Sequence, residues 1–297
     1  MENISLRIVQ HAHQLAREIA ARAVVVYADV LEKDEELRQL LGTVDFPTIL
    51  VTRAEEIPPA APGETCTWIA VPNVHMTRAG QVKVALLVCF ARGMVQRGDR
   101  VVCLTGIDGA STIDTLWVLN LGTEPELFAT LDAVTLEVNV RPEVFERILA
   151  LAAQLAVEGR EGRPIGAIFV LGDEENVLAQ SRSLVLNPFR GYPEAERNIL
   201  DPALEETIKE YAALDGAFLV RGDGVILSAG LQLVPRAQSP YLPPGLGTRH
   251  AAAASITIST DAVALAISQS TGTVTVYKSG RIITDIHKPN DSSGLTL

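Results

Sequence analysis

The sequence predicts an α/β protein with two domains. The first is a small parallel α/β domain, and the second is an α/β domain with a mixed central sheet flanked by helices. The chain has 297 residues and 47% hydrophobic content, which is enough for two packed cores. In its first 127 residues, short apolar runs alternate with helical patterns, as in parallel sheets. From residue 217 onward, strand patterns follow one another with turns between them, which indicates antiparallel pairing.

The first domain, residues 1–127, is predicted to begin with an amphipathic helix whose apolar positions recur at helical spacing. Buried strands are expected where β-branched residues cluster between charged or turn residues. The predicted elements are, in chain order, a helix at 5–22, a strand at 23–28, a helix restarting at 32–38, strands at 47–52 and 67–71 with a loop at 58–63 between them, a helix at 78–97 and a strand at 100–105.

One stretch of this domain resembles the C-terminal domain of pyruvate kinase. Residues 82–106, VKVALLVCFARGMVQRGDRVVCLTG, carry the similarity: a helix leads through Gly-Asp into a strand and then a loop. The resemblance implies an accessory domain, since this domain of pyruvate kinase does not carry the catalytic residues of that enzyme. Asp108 and Ser111–Thr112 would fall on its ligand loop, so both a small-molecule regulator and simple domain packing remain open.

The second domain, residues 128–297, is predicted to open with a helix at 143–158 that has Pro142 at its first position. Five strand patterns crowd the region after residue 217, and Arg221–Gly224 reads as the turn of a hairpin. The predicted elements after the first helix are a turn at 159–164, a strand at 165–171, a helix from 201 to about 213, strands at 217–221, 224–229, 253–259, 262–268 and 273–278, and a loose tail after 285.

Composition excludes several classes of function. The net charge is −11 and the pI is near 5.0, which argues against a dedicated nucleic-acid binder but not against a pocket for a mononucleotide. The three cysteines share no metal-type spacing and are expected to be reduced thiols. Because no apolar run is long enough to cross a bilayer and no signal peptide is evident, we expect no membrane partner and a cytoplasmic location.

Three polar segments of the second domain suit phosphoryl transfer: Asp215-Gly216-Ala217, residues 245–250 and residues 268–272. Glycines such as Gly247 let backbone N–H groups approach phosphate oxygens. Arginine forks onto two such oxygens, while histidine and hydroxyls complete the set. An aspartate can hold a divalent metal or orient an attacking hydroxyl. Taken alone, each segment is more typical of an ordinary turn or solvated loop, so the spacing by itself gives only a weak indication of a phosphate site.

The same segments lie in runs that resemble the diadenylate cyclase domain. The runs are ERNILDPALEETIKEYAALDGAFLVRGDGVILSAG at 196–230, GLGTRHAAAASIT at 245–257 and AVALAISQSTGTVTVY at 263–277, preceded by EGREGRPIGAIFVLGD at 158–173. The resemblance implies an enzyme that condenses two ATP into cyclic di-AMP with release of pyrophosphate. It implies Mg²⁺ or Mn²⁺ and a homo-oligomer in which two domains meet face to face.

Site residues follow from the resemblance. Asp215 would contact the metal and the attacking 3′-hydroxyl, and Arg249 and His250 would act with it in catalysis. The remaining nucleotide-binding positions would be Gly216, Ala217, Leu231, Gly247, Thr248 and Ser268.

Three positions, in two motifs, depart from the pattern of many bacterial members. Ala251 replaces an arginine after Arg249-His250, and Gln269-Ser270 replaces a pair of acidic residues after Ser268. The missing carboxylate leaves a second hypothesis open, a nucleotide sensor of the same family that has lost turnover. An NAD-linked oxidoreductase is set aside because no Gly-x-Gly-x-x-Gly loop follows a strand. The layout, with an N-terminal accessory domain, resembles archaeal-type cyclases.

Overall fold

A computed structural model describes residues 4–31, 37, 40–41, 44–54, 57, 66–107, 112–121, 140–159, 165–242 and 245–287. The chain divides into two compact units. Among the described residues, the first unit takes those up to Leu121 except Phe90–Arg92, together with those from Ile286 onward. The second takes Phe90–Arg92 and the rest up to Asp285. The expected boundary at 127/128 lies outside the described residues, as do the predicted loop at 58–63, Asp108–Ser111 and all of the predicted helix at 32–38 except Leu37. The predicted turn at 159–164 beyond Gly159 and the predicted tail beyond His287 also lie outside them.

The first unit is a five-stranded sheet with strand order β3-β2-β1-β4-β5. Its elements are the helices Ile4–Glu18 (α1) and Arg78–Ala91 (α2) and the strands Ala23–Tyr27 (β1), Thr48–Thr52 (β2), Thr67–Ala70 (β3), Arg100–Thr105 (β4) and Thr115–Asn120 (β5). Strands β1 to β4 are parallel, as predicted, and the central strand β1 is buried along its whole length.

Two predictions for the first unit are wrong in detail. The sheet is not purely parallel, because β5 pairs antiparallel with β4 from Arg100–Asn120 to Thr105–Thr115. This edge strand escaped prediction because its side chains are only partly buried. Helix α2 ends at Ala91 instead of residue 97, since Gly93 adopts φ +66° and turns the chain out of the helix.

The second unit is built on a seven-stranded sheet with strand order β12-β11-β10-β6-β8-β9-β7. Its helices are Pro142–Glu158 (α3), Glu174–Leu178 (α4), Glu205–Tyr211 (α5) and Thr248–Ile256 (α6), with 3₁₀ turns at Glu194–Arg197 and Pro202–Leu204. Its strands are Ile168–Leu171 (β6), Ser181–Ser183 (β7), Ala217–Val220 (β8), Ile226–Leu233 (β9), Val263–Ile267 (β10), Val274–Lys278 (β11) and Arg281–Ile286 (β12). Strands β6 and β8 run parallel, whereas the pairs β6–β10, β10–β11, β8–β9 and β7–β9 are antiparallel, so the predicted mixed sheet is confirmed.

The predicted hairpin between β8 and β9 is confirmed. The amide of Gly224 donates to the Arg221 carbonyl at 2.9 Å, and the amide of Arg221 donates to the Val225 carbonyl at 2.9 Å. Helix α6 covers one face of the sheet, where Ala253 and Ala254 join a buried cluster with residues of β6, β8, β9 and β10. Helix α3 contacts β10 and β11. Among the described residues, no helix has the length and apolar character needed to span a membrane.

The predicted strand at 253–259 is wrong. Residues Thr248–Ile256 form α6, and residues 257–259 form the turn that follows the helix. Apolar and polar residues alternate only weakly in this stretch. The four residues from Ala251 to Ala254 are alanines, and alanine has the highest helix propensity of all residue types. This correction also moves Thr248, Arg249 and His250 from the end of a loop to the first turn of a helix.

Candidate active site

The sheet of the second unit brings three distant segments of the chain to one end of its central strands β6, β8 and β10, which is called the sheet edge below. Strands β6 and β8 start side by side, since Ile168 is paired with Ala217. Strand β10 runs the opposite way and ends at the same edge, where the amide of Ile267 donates to the carbonyl of Ala167. Asp215, just before β8, and Ser268, just after β10, therefore lie on the same side of the sheet.

Helix α6 places Arg249 between these segments. Its Nη2 donates to Oδ1 of Asp215 at 3.1 Å, and its Nη1 approaches Oε1 of Gln269 at 3.5 Å. The Asp215 side chain is 86% exposed and that of Arg249 is 32% exposed. Exposed pairs of this kind contribute little to stability, so both side chains can exchange partners when a ligand arrives. Two of the three predicted catalytic residues, Asp215 and Arg249, are thus in direct contact.

Gly166, just before β6, provides the space in which the Arg249 side chain lies. A Cβ atom at this position would lie 3.1 Å from Arg249 Nη1 and 3.2 Å from Arg249 Cδ. It would also lie 3.2 Å from Gln269 Cβ. A side chain here would press on both partners, so the glycine keeps the arginine over the sheet edge.

The first turn of α6 presents backbone donors at the same edge. Gly247 is the N-cap residue with extended geometry, and no side chain caps the helix there. The first intrahelical bond is donated by Ala251 to the Gly247 carbonyl at 3.1 Å, so the amides of Thr248, Arg249 and His250 have no partner within the helix. Such a turn, with the positive end of the helix dipole, is suited to phosphate.

The imidazole of His250 points the other way. The residue is only 6% exposed, and its ring meets Tyr277 of β11 edge-on, with 6.3 Å between centroids and 78° between planes. Burial lowers the pKa of His250 below its usual range, and the Asp285 carboxylate acts in the opposite direction. The ring lies beneath α6, so His250 offers the sheet edge its backbone amide.

The Asp-Gly-Ala segment is held by a close backbone approach. Gly216 has φ +110°, and a Cβ there would lie 2.6 Å from the carbonyl carbon of Gly230 and 2.7 Å from the nitrogen of Leu231. Ala217 and Leu231 are paired in β8 and β9 and are 0% and 3% exposed. Both side chains belong to the core below α6.

The polar turn between β10 and β11 is confirmed. Ser268 closes it through its amide, which donates to the Thr273 carbonyl at 2.9 Å. The Oγ atoms of Ser268 and Ser270 lie 3.2 Å apart, and Ser268 Oγ accepts a bond from the Thr271 amide at 3.3 Å. The turn thus presents hydroxyl and amide groups beside Arg249, where the resemblance would place carboxylates.

A divalent metal fits this edge only as an ion shared with a substrate. Within the described ranges, no three His, Cys, Asp or Glu side chains are grouped so as to hold an ion. Asp215 supplies one exposed carboxylate. Magnesium is commonly held by one or two carboxylates together with substrate phosphates and water, so a single aspartate fits that arrangement.

Some contributors were missed from the sequence. Gly166 carries no local signal, because its importance lies in a contact with a residue 83 positions later. Tyr277, which contacts His250, lay in the predicted strand at 273–278 without any sign of a role at the site, and Asp285 lay outside the predicted strands, just before the predicted tail. Gln269 stood out only as a departure from the resemblance.

Replacing Gly216 by alanine is expected to destabilise the protein more than the same change at Gly191. Both glycines have positive φ, +110° and +93°, but a Cβ at Gly191 would meet nothing within 4 Å. Each substitution costs about 1–2 kcal/mol in backbone strain, and Gly216→Ala adds about 1–3 kcal/mol of overpacking. Urea denaturation of both variants measures the difference. Equal losses of unfolding free energy would show that the approach to Gly230 is not tight.

The sequence matches two protein families and several characterised relatives. Residues 154–282 match the family described as DisA bacterial checkpoint controller nucleotide-binding, and residues 5–128 match the family described as probable sensor domain DacZ_P. A diadenylate cyclase from Methanocaldococcus jannaschii is 30% identical over 305 residues, covering 94% of this chain and 96% of the relative. One from Haloferax volcanii is 29% identical and covers 82% and 86%. One from Listeria monocytogenes is 35% identical over only 72 residues, 24% of this chain and 26% of the relative.

Proposed function

Because the chain belongs to the diadenylate cyclase family, we propose that it condenses two molecules of ATP into cyclic di-AMP and releases two pyrophosphates. The family membership confirms the expected class of enzyme, a nucleotidyltransferase. The observation that carries the proposal is the contact of Arg249 with Asp215 at the sheet edge that also receives the first turn of α6. The guanidinium of Arg249, the carboxylate of Asp215 and the backbone amides at the start of α6 lie close enough together to bind one triphosphate.

The phosphates of ATP bind at the first turn of α6 in this proposal. The amides of Thr248, Arg249 and His250 donate to phosphate oxygens, and Gly247 lets the chain approach them closely. Arg249 leaves its exposed contact with Asp215 and forks onto the phosphates. Ser268 adds a hydroxyl from the turn after β10. Gly216, Ala217 and Leu231 shape the floor next to the nucleoside.

Asp215 acts on the attacking group. The 3′-hydroxyl of one ATP attacks the α-phosphorus of the other, forming a phosphodiester bond while the bond to pyrophosphate breaks. Asp215 orients that hydroxyl and accepts its proton, which passes on to solvent. A Mg²⁺ or Mn²⁺ ion, held by Asp215 and the phosphates, would supply neutralisation of the charge on the phosphate oxygens.

A second copy of the chain completes the reaction. Each site is proposed to hold one ATP, so two sites must face each other for each hydroxyl to reach the other nucleotide. The partner is therefore another copy of this chain in a homo-oligomer. The exposed position of Asp215 supports this arrangement, since a carboxylate on an open edge can meet a nucleotide presented from outside.

We further propose an archaeal-type layout with residues 1–127 as an accessory domain and 128–297 as the cyclase domain. The two relatives that match along most of this chain, from Methanocaldococcus and Haloferax, support the layout. The family matched by residues 5–128 is described as a probable sensor domain, which supports a regulatory role. The resemblance to pyruvate kinase and the cytoplasmic location stay predictions.

A second candidate function is a nucleotide sensor without turnover. It is favoured by one observation: Gln269 and Ser270 supply neutral groups beside Arg249, where many bacterial members have acids. A site with one carboxylate holds a metal more weakly than a site with two. Binding of ATP would survive this loss more readily than catalysis.

Incubation of the purified chain with ATP separates the two candidates. We expect cyclic di-AMP and pyrophosphate in the presence of Mg²⁺ or Mn²⁺, and neither product after chelation of the metal, as read by liquid chromatography with mass spectrometry. Binding of ATP without either product, with both metals, would favour the sensor. In that case Gln269→Glu is the first variant in which to seek restored turnover.

A further inference from the structure

The buried face of α6 meets side chains of the sheet that the proposed reaction does not use. His250 lies in the first turn of the helix but turns its ring toward the sheet, where it is 6% exposed. Its neighbour Arg249 turns outward to Asp215. Consecutive helical residues point about 100° apart, so one turn is anchored inward by one side chain and acts outward through the next.

Two titratable groups of the sheet act on the His250 ring, Tyr277 by contact and Asp285 by its charge. Tyr277 of β11 makes the edge-on contact at 6.3 Å, and the residue is fully buried. Asp285 of β12 is the carboxylate whose charge acts on both His250 and Tyr277. Arg249 is the adjacent charged residue on the helix itself.

Asp285 is held in place by a hydroxyl. Thr275 donates its Oγ1 hydrogen to Oδ1 of Asp285 at 2.7 Å in a half-buried setting. Thr275 and Tyr277 are two residues apart on β11 and so share the face of the sheet that α6 covers. The carboxylate is therefore tied to β11, the strand whose Tyr277 meets the His250 ring.

We propose that Asp285 is a positioning residue of the cyclase site, which acts through His250 and Tyr277 to seat the first turn of α6. A hydrogen bond joins Asp285 to Thr275, Thr275 and Tyr277 share one face of β11, and Tyr277 meets the ring of His250. The backbone of His250 continues into the amides and the guanidinium that meet the phosphates. The carboxylate is half-buried and the imidazole is buried, so water screens the effect of the Asp285 charge on the ring only weakly. The inference rests on the proposed function, because the phosphates are its endpoint.

The alternative is that these residues only fill space. Asp285→Asn tests this because it keeps the size of the side chain and an oxygen for the Thr275 hydroxyl, and removes only the charge. If Asp285 positions the turn, kcat falls about tenfold in this variant, and its effect is largely absent when His250 is already glutamine, since coupled residues do not act additively. The matched control is Asp261→Asn, an exposed carboxylate at the opposite end of β10.

A spectroscopic readout separates the inference from the activity. The five histidines give separate NMR signals, and His250→Gln identifies the one that belongs to His250. In Asp285→Asn the pKa of His250 should fall, because burial still disfavours the charged ring and the opposing carboxylate is gone. Asp261→Asn should leave that pKa and kcat unchanged.

The outcomes are distinct. An unchanged kcat in Asp285→Asn, or an equal loss in the presence and absence of His250, overturns the positioning role. If Asp285→Asn fails to fold, Thr275→Val replaces it, since it removes only the hydroxyl that holds the carboxylate, and a smaller loss in the same direction is expected. If the wild-type chain makes no cyclic product, the proposed function fails, whereas the NMR titration still decides whether Asp285 acts on His250.

Discussion

Asp215→Asn is expected to abolish formation of cyclic di-AMP while the fold stays intact. Asparagine keeps the shape of the side chain but can neither accept the proton of the attacking hydroxyl nor hold a divalent cation with a full negative charge. Loss of a group that acts on developing charge lowers kcat by about 10²–10³-fold, so little or no product is expected. Product is measured by mass spectrometry at saturating ATP.

The stability of this variant should match that of the wild type. The Asp215 side chain is 86% exposed, and its one described ion pair, with Arg249, is a surface contact. ATP binding should persist, because the amides of α6 and Arg249 remain. Asp261→Asn serves as the control for removing an exposed carboxylate from the same sheet. Undiminished turnover in Asp215→Asn, with normal folding, would remove the carboxylate from the mechanism.

The sequence predicted the elements whose pattern is local and strong. Helix α3 has a clear apolar stripe with Pro142 at its start, and the β8–β9 hairpin has glycine at the turn. The stretch 253–259 failed because a short apolar run gives no reliable period, and its alanines favour a helix. Strand β5 was missed because an edge strand with partly exposed residues lacks the apolar run of a buried strand.

The candidate site was predictable in its membership but not in its arrangement. The resemblance pointed to Asp215 and Arg249, which are 34 residues apart in the chain. They meet because α6, which carries Arg249, packs on the sheet in which β6 lies between β8 and β10. No pattern in the chain encodes that strand order. The inward turn of the His250 ring and the space at Gly166 likewise depend on tertiary contacts, so no local signal marks them.

Arg249→Lys is expected to lower kcat by about 10²-fold, although the positive charge is retained. The guanidinium reaches Asp215 with one nitrogen and Gln269 with the other, at 3.1 and 3.5 Å. A lysine ammonium is a single point of charge and cannot bridge two oxygens in one plane. Phosphate attraction is partly kept, so KM for ATP should change less than kcat. Steady-state kinetics with ATP separate the two parameters.

Arg182→Lys is the matched control. Arg182 also donates to a glutamine, Gln232, but it lies on β7, the outermost strand of the sheet. This variant should leave both parameters unchanged. Gly166→Ala adds a second arm, since its Cβ would press on Arg249 at 3.1 Å without altering any charge. If Arg249→Lys retains the wild-type rate while Gly166→Ala does not, the fork is dispensable and the path of the side chain over the sheet edge is what matters. If both variants retain it, the phosphates are held by the first turn of α6 alone, and the helix amides become the whole of the phosphate site.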